Sequence, residues 1–242
     1  MCGLCAFSIA TKTHSASYKW SMTESLVAQP PSSGLVLKRL RSSSETEFYD
    51  LFSLYEEAFP GSERKPMDVL RRMLATEQYY FLLATERDVT VGFAIACVLS
   101  GGTAALLEYM AVAPSQRRRG IGAQIVHAAA QAVNAPAVSL LLEVESDRIE
   151  SPERPQRTRR KQFYRSLGAR ELCGLSWIMP PVIATPPPPM EMMAFCPTVG
   201  FVPRHQLRRW LTETYVDVYG QSADDSRIEA MVRELPEEVE LI

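Results

Sequence analysis

The chain has 242 residues, 46% of them hydrophobic and 22% charged, a profile that gives a globular protein material for a sizeable core and excludes a fibre or a chain disordered throughout. Its 26 Lys and Arg stand against 28 Asp and Glu, a net charge of −2 that excludes a surface built wholly to grip nucleic acid. No apolar run approaches the roughly 18 residues of a membrane span, and five cysteines, an odd number in a chain too long to need disulfide staples, point to free thiols in a reducing, cytoplasmic setting.

Residues 1–33 are rich in Ser and Thr, contain Glu24 as their sole acid and carry no apolar periodicity, so they predict a flexible N-terminal extension. Cys2 and Cys5 form a CxxC with no second pair at zinc spacing, and no metal is expected. From Leu35 the text becomes regular. LVLKRL (35–40) alternates as a half-buried strand does. Ser44 and Glu47 make a capping box ahead of a helix through Phe48, Leu51, Phe52, Tyr55 and Phe59, which Pro60 and Gly61 stop. A short helix runs from about Pro66 to Ala75; Tyr79–Thr85 and Val91–Leu99 form a hairpin around ERDVT, and Ala104–Val112 is the next strand.

After Pro114 comes QRRRGIG and then a helix from Ile121 to about Asn134, with Ile121, Ile125, Ala129 and Val133 on its apolar face. Val138–Val144 is a continuous apolar run, as in a strand buried on both faces. The polar ESDRIESPERPQ leads to a helix from about Thr158 to Leu167, closed by Gly168. Ala169–Met179 reads as a strand, PPVIATPPPP as a stiff connector, Met190–Phe195 as the last strand, and 204–219 and 224–235 as two final helices. Cys97, Cys173 and Cys196 fall in the strand-like runs and are expected to be buried and inert. The fold class is α/β: a mixed sheet with helices on both faces, over a domain of 34–200, with 201–242 as a helical extension packed on it.

Tyr109 to Gly122, YMAVAPSQRRRGIG, carries the chemistry. A strand ends at a proline and a short loop opens directly into a helix, whose first N–H groups are unpaired and lie at the positive end of the macrodipole. Gly120 and Gly122 let an anion approach the backbone, and Arg117, Arg118 and Arg119 add charge-assisted donors, so the segment reads as a diphosphate cradle. A Walker loop needs Lys-Ser/Thr where Ala123-Gln124 stands, and the dinucleotide fingerprint needs a glycine where Val126 stands.

MAVAPSQRRRGIGA resembles the acetyl-CoA signature of the GNAT superfamily of N-acetyltransferases, V-x-P-x-x-x-R-R/x-G-x-G/A, and FYRSLGA (163–169) is similar to that superfamily's helix-loop-strand segment. The resemblance spans about residues 35–195. It implies the GNAT acyl-CoA fold, acetyl-CoA as co-substrate and a primary amine, small-molecule or peptide, as acceptor, attacked directly in a ternary complex. It further implies that the backbone of Met110, Ala111 and Val112 pairs with the pantetheine arm and that the backbone from Arg118 through Gly120, Ile121 and Gly122 to Ala123 holds the pyrophosphate. Tyr164 would be the general acid toward the leaving thiolate. Glu143 matches the strand glutamate that ribosomal-protein alanine acetyltransferases use as base, and Glu108 lies two positions out of register with the glutamate of histone-type members. Where the alanine acetyltransferases carry a CoA-binding asparagine this chain has Arg148, so that contact is not carried over.

Glu145 and Asp147 share the face of Glu143 and would make an acidic approach for a cationic amine. Arg154, Arg157, Arg159, Arg160 and Lys161 gather where the helix dipole disfavours cations, which suggests CoA phosphates or an acidic acceptor as partner, against a plain solvated face. His127, His205 and the methionines Met190, Met192 and Met193 have no nucleophile or ligand pattern beside them and read as packing or surface residues. A second reading is a non-catalytic acyl-CoA-binding sensor or interaction module. No nucleic acid or membrane partner is expected, and monomer and homodimer stay open.

Overall fold

In the computed structural model, which describes residues 34–43, 46–133, 138–181, 187–196 and 200–242, the alternating run Leu35–Leu40 is an edge strand (β1) that pairs antiparallel with Tyr79–Glu86 (β2). The expected extension of 1–33, the CxxC, Ser44 and the helix-ending Asn134 lie outside the described residues. Between those strands, Thr46–Ala58 (α1) and Met67–Leu74 (α2) form the two expected helices, with Pro66 capping α2 from outside. Glu47 forms an ion pair with Lys38.

β2 and Val89–Val98 (β3) run closer together than the five-residue turn suggested. Only Arg87 and Asp88 separate them, both at positive φ (50° and 62°), the backbone that a two-residue hairpin turn with matching strand twist requires. Ala104–Val112 (β4) pairs antiparallel with β3, and Gly92 is needed there because a Cβ would stand 2.6 Å from Ile125 Cδ1 and 2.9 Å from the Ala111 carbonyl. Ile121–Ala132 (α3) crosses to Ser139–Glu145 (β5), which lies parallel to β4. Arg154–Ser166 (α4), the short Arg170–Glu171 (β6) and Met190–Phe195 (β7) complete a sheet of order β1-β2-β3-β4-β5-β7-β6.

α4 begins four residues before the expected Thr158, because Pro155 is pre-shaped for a first turn, so the arginines from 154 onward are helical rather than part of a linker. The expected strand 169–179 shrinks to two residues and an isolated bridge from Leu172 to Leu241; Gly174, at φ +78°, turns the chain out of the sheet. Met190–Phe195 is not the last strand either. Phe201–Pro203 (β8) and Glu238–Glu240 (β9) pair in a second small sheet. Between them Arg204–Glu213 (α5) runs into a wider π-helical turn, Thr214–Val218, and Ser226–Val232 (α6) follows.

Side-chain alternation splits the core into two clusters, one on each face of the sheet. Phe81 and Leu83 of β2 belong to the cluster that also holds Phe48, Leu51, Leu70, Leu207 and Ile228 of α1, α2, α5 and α6, whereas Leu82 and Ala84 belong to the one that holds Ile121, Ile125 and Ala129 of α3. Met192 and Met193 fall on opposite faces. Cys97 is buried, and burial pushes its thiol up to about 12, while Cys173 is exposed and Cys196 half-buried, contrary to the expectation that all three are enclosed.

Candidate active site

β4 and β5 pair only as far as Leu107 with Leu142, then part. At the same level β4 carries a bulge: Ile95 opposes Tyr109 and Ala96 opposes Leu107, so Glu108 is the extra residue. The bulge reverses the alternation, with Leu106, Tyr109 and Ala111 on one face of the core and Leu107 and Met110 on the other. Glu108 and Glu143 therefore both stand at the mouth of the split, and beyond it the β5-side edge of Met110–Val112 lacks a strand neighbour among the described residues.

A cavity of about 620 Å³ fills this split. Its walls bring together the residues that lie far apart in the chain: Glu108, Met110, Ala111 and Val112 of β4, the turn residues Arg117, Arg118 and Gly120 to Ala123, Glu143 of β5, and Tyr164 of α4. Gln156, Arg160, Phe163 and Tyr164 reach it from one face of α4. Arg119 does not line it. Its guanidinium pairs with Glu86, with contacts of 2.8 and 2.9 Å, on the β2–β3 turn.

The turn keeps its backbone free for a ligand. Gly120 sits at φ +79°, a conformation that costs glycine little, and the N–H groups of residues 118–123 have no backbone acceptor among the described residues. A Cβ at Gly122 would stand 3.4 Å from the Phe163 ring and 3.5 Å from Met110 Cε, closing the groove between β4 and α4. Arg117 Nε donates to the Val112 carbonyl (3.1 Å), which fixes the loop against the strand end. A pyrophosphate fits this donor set, with free amides at a helix start and two guanidinium groups on the cavity wall.

The two carboxylates differ. Burial raises the pKa of Glu108, but Lys65 Nζ lies 2.5 Å from its Oε1 and the Tyr79 hydroxyl donates to its Oε2 (3.2 Å), so a cation and a donor already serve it. Glu143 has no such cation. Burial pushes its pKa up to about 7, with a smaller push from Glu108, against a hydrogen bond from the Tyr219 hydroxyl to Oε2 at 2.6 Å. Its Oε1 is enclosed with no partner of hydrogen-bond geometry, and the Lys65 charge and the Trp177 indole are weaker influences that favour its anion. Burial also raises the Tyr164 phenol, which stays protonated at neutral pH, with Arg160 as a weaker opposing influence.

Other expected features are paired off. Glu145 lies 3.3 Å from Arg160 and 3.6 Å from Arg157, and Asp147 lies 2.8 Å from Lys161, so the acidic approach is largely neutralised within the fold. At the basic helix start, Arg154 bonds Glu150 and the Asp147 carbonyl, and Lys161, its side chain 3% exposed, sits among Asp147, Glu171 and Glu191. Of that group only Arg160 lines the cavity. His127 is half-buried with its pKa lowered by burial, and His205 is exposed. Lys65 and Tyr219 were missed in the sequence; both reach the site through tertiary packing, and neither sits in a motif.

A mixed sheet split between β4 and β5, with a glycine turn and helix start facing the split, is the architecture of the GNAT fold. Residues 77–168, from β2 through α4, match the family model of the acetyltransferase (GNAT) domain. An acetyltransferase assigned to the GNAT family of Bacteroides thetaiotaomicron shares the fold at TM-score 0.63 and 19% identity, over 76% of this chain and 98% of that one. An acetyltransferase assigned to the same family of Desulfovibrio desulfuricans gives 0.51 at 17%, over 66% and 98%. NAA60 of Arabidopsis thaliana, solved with acetyl-CoA, gives 0.51 at 14%, over 66% and 97%. No curated protein sequence matches the chain. Among the described residues no helix is long and apolar enough to cross a membrane, and no cluster of three or more His, Cys, Asp or Glu side chains could hold a metal ion.

Proposed function

We propose that the protein transfers an acetyl group from acetyl-CoA to a primary amine by direct attack, with Glu143 as base and Tyr164 as acid, in a domain of 34–200 whose site is completed by the extension 201–242. The observation that carries this reading is the shared cavity, where an uncompensated carboxyl with pKa about 7 and a protonated phenol flank the free amides of a helix start. The co-substrate, when bound, supplies the activated thioester. The amides of 118–123 with Arg117 and Arg118 hold its pyrophosphate, and the open edge of Met110–Val112 aligns its pantetheine arm.

Glu143 as carboxylate takes a proton from the incoming ammonium, and the amine nitrogen then forms its bond to the acyl carbon as the carbon–sulfur bond breaks. Tyr164 Oη gives its proton to the departing sulfur, and the remaining extra proton on the acylated nitrogen passes to the phenolate, which restores Tyr164 and leaves the amide. A base with pKa near the working pH balances availability against strength, which favours Glu143 over the Lys65-paired Glu108. Thiol release from acetyl-CoA across an amine panel tests the reading. Tyr164→Phe is expected to lower kcat by about 10²-fold or more with little change in CoA affinity; a wild-type rate would remove Tyr164 from the mechanism. CoA binding without thiol release over the whole panel would favour the sensor reading.

A further inference from the structure

A second chamber, of about 190 Å³, adjoins the first, and Phe59, Glu108, Glu143 and Arg160 line both. Its remaining polar groups are Glu63, Lys65, Glu145 and the hydroxyls of Tyr109 and Tyr219; its apolar walls include Met179, Pro187, Pro188 and Met190. Four carboxylates thus face two cations, and both cations are spent. Lys65 is held by Glu108 at 2.5 Å, and Arg160 by Glu145 at 3.3 Å.

Two carboxylates are left without a cation. One is Glu143, with Oε1 enclosed and without a partner of hydrogen-bond geometry. The other is Glu63, whose side chain has neither a hydrogen bond nor an ion pair among the described residues. Its backbone is nevertheless fixed on both sides. The chain leaves α1 at Pro60 into a single 3₁₀ turn, Gly61–Glu63, the Tyr109 hydroxyl donates to the Glu63 carbonyl (3.1 Å), and the Lys65 N–H donates to the Tyr55 hydroxyl (2.7 Å). Burial, and then the neighbouring Glu145, raise the Glu63 carboxyl, with the Arg160 charge a weaker opposing influence, so a cation placed against it would stabilise its anion further.

We propose that the acceptor is a small diamine: one amino group reacts at Glu143, the other stays protonated against Glu63, and the hydrocarbon between them lies on Met179, Met190 and the Pro187-Pro188 wall. This rests on the acetyl-transfer reading above and names its substrate class. The reacting ammonium nitrogen gains the acyl carbon and loses two protons, one to Glu143 before attack and one to the Tyr164 phenolate left when its proton goes with the departing sulfur, and the second ammonium is unchanged, so the products are a mono-acetylated diamine and a free thiol. A peptide N-terminus would instead bring backbone amides against the apolar walls, where their hydrogen bonds to water would be lost.

The test is steady-state thiol release from acetyl-CoA with 1,4-diaminobutane, 1-aminobutane and a tripeptide amide bearing a free N-terminus. With the wild-type protein, kcat/KM for the diamine is expected to exceed that for the monoamine by about tenfold or more, the scale of a charge-assisted contact. In Glu63→Gln that ratio is expected to fall to about one, with the change in KM rather than kcat. Equal values for diamine and monoamine in the wild type, a ratio unmoved in Glu63→Gln, or a preference for the tripeptide overturns the diamine proposal and leaves acetyl transfer standing. No thiol release with any of the three overturns both.

Discussion

Replacing Tyr219 by Phe removes one hydroxyl from the site and keeps the ring, so it isolates the 2.6 Å hydrogen bond to Glu143 Oε2. That bond opposes the burial that pushes the Glu143 carboxyl up to about 7. A hydrogen bond to a charged group is worth roughly 1.5–3 kcal/mol, and one pKa unit is about 1.4 kcal/mol, so its loss should raise the carboxyl by about one unit or more. In the proposed mechanism Glu143 acts as the carboxylate, so the rate should climb as pH rises through its pKa. At pH 7 the ionised fraction would drop from about one half to about one tenth, while the plateau on the alkaline side is kept. The assay is a pH profile of kcat/KM for wild type and Tyr219→Phe, read as the position of the acidic limb. A limb that does not move, or a loss of rate by the same factor at every pH, would refute the assignment of Glu143 as base under the control of Tyr219.

Two further substitutions separate stability from activity. The folded pKa of Glu143, about 7, stands above its reference of 4.5, so the stability it contributes is fully present below about 4.5 and is lost as pH rises through 7. Glu143→Gln should therefore abolish turnover yet melt higher than wild type at pH 8, by at most about 3 kcal/mol, with the gap closing toward pH 4.5, as calorimetry across pH would show. Lys161→Met takes from Asp147 its ion-pair partner and leaves Glu171 and Glu191 to the more exposed Arg148 and Arg165, and urea unfolding should show a loss of about 3 kcal/mol or less near neutral pH. That loss should shrink at acid pH as Asp147, whose carboxyl Lys161 holds low against its burial, takes up a proton. A loss that is the same at every pH would mean that Asp147 is not held by this lysine.

The segments that the sequence made legible are those in which local chemistry and tertiary role agree. The β3–β4 meander, the Gly120–Gly122 turn and α3 all stand within a residue or two of their expected bounds, because period, punctuation and burial point the same way there. Glu143 and Tyr164 could be singled out because each sits beside a motif. What a linear reading could not weigh was pairing across the fold. The arginines of α4 look like a phosphate grip in isolation, yet they answer the acids of the β5–α4 connection, and Lys161 is enclosed by acids from three different elements. The run 169–179 reads as a strand by hydrophobicity alone, but Gly174 breaks it and Trp177 packs edge-on against Tyr215 at 5.6 Å in the core.

The segment after 201 bears on the chemistry through one turn. From Thr214 to Val218 the helix widens to i→i+5 bonding, as in the contact from Tyr219 N–H to the Thr214 carbonyl, and this inserts extra backbone per turn just where the chain passes the split. Two consecutive residues thereby reach the two carboxylates: the Val218 carbonyl accepts from Lys65 Nζ (3.2 Å), the lysine that also neutralises Glu108, and the Tyr219 hydroxyl donates to Glu143. Glu108 thus sits against a cation, whereas Glu143, its carboxyl pushed up by burial to about 7, has no ion pair. The overall charge of −2 conceals this division, because it sums paired and exposed side chains alike, whereas within the two chambers the carboxylates without an ion pair among the described residues are Glu143 and Glu63.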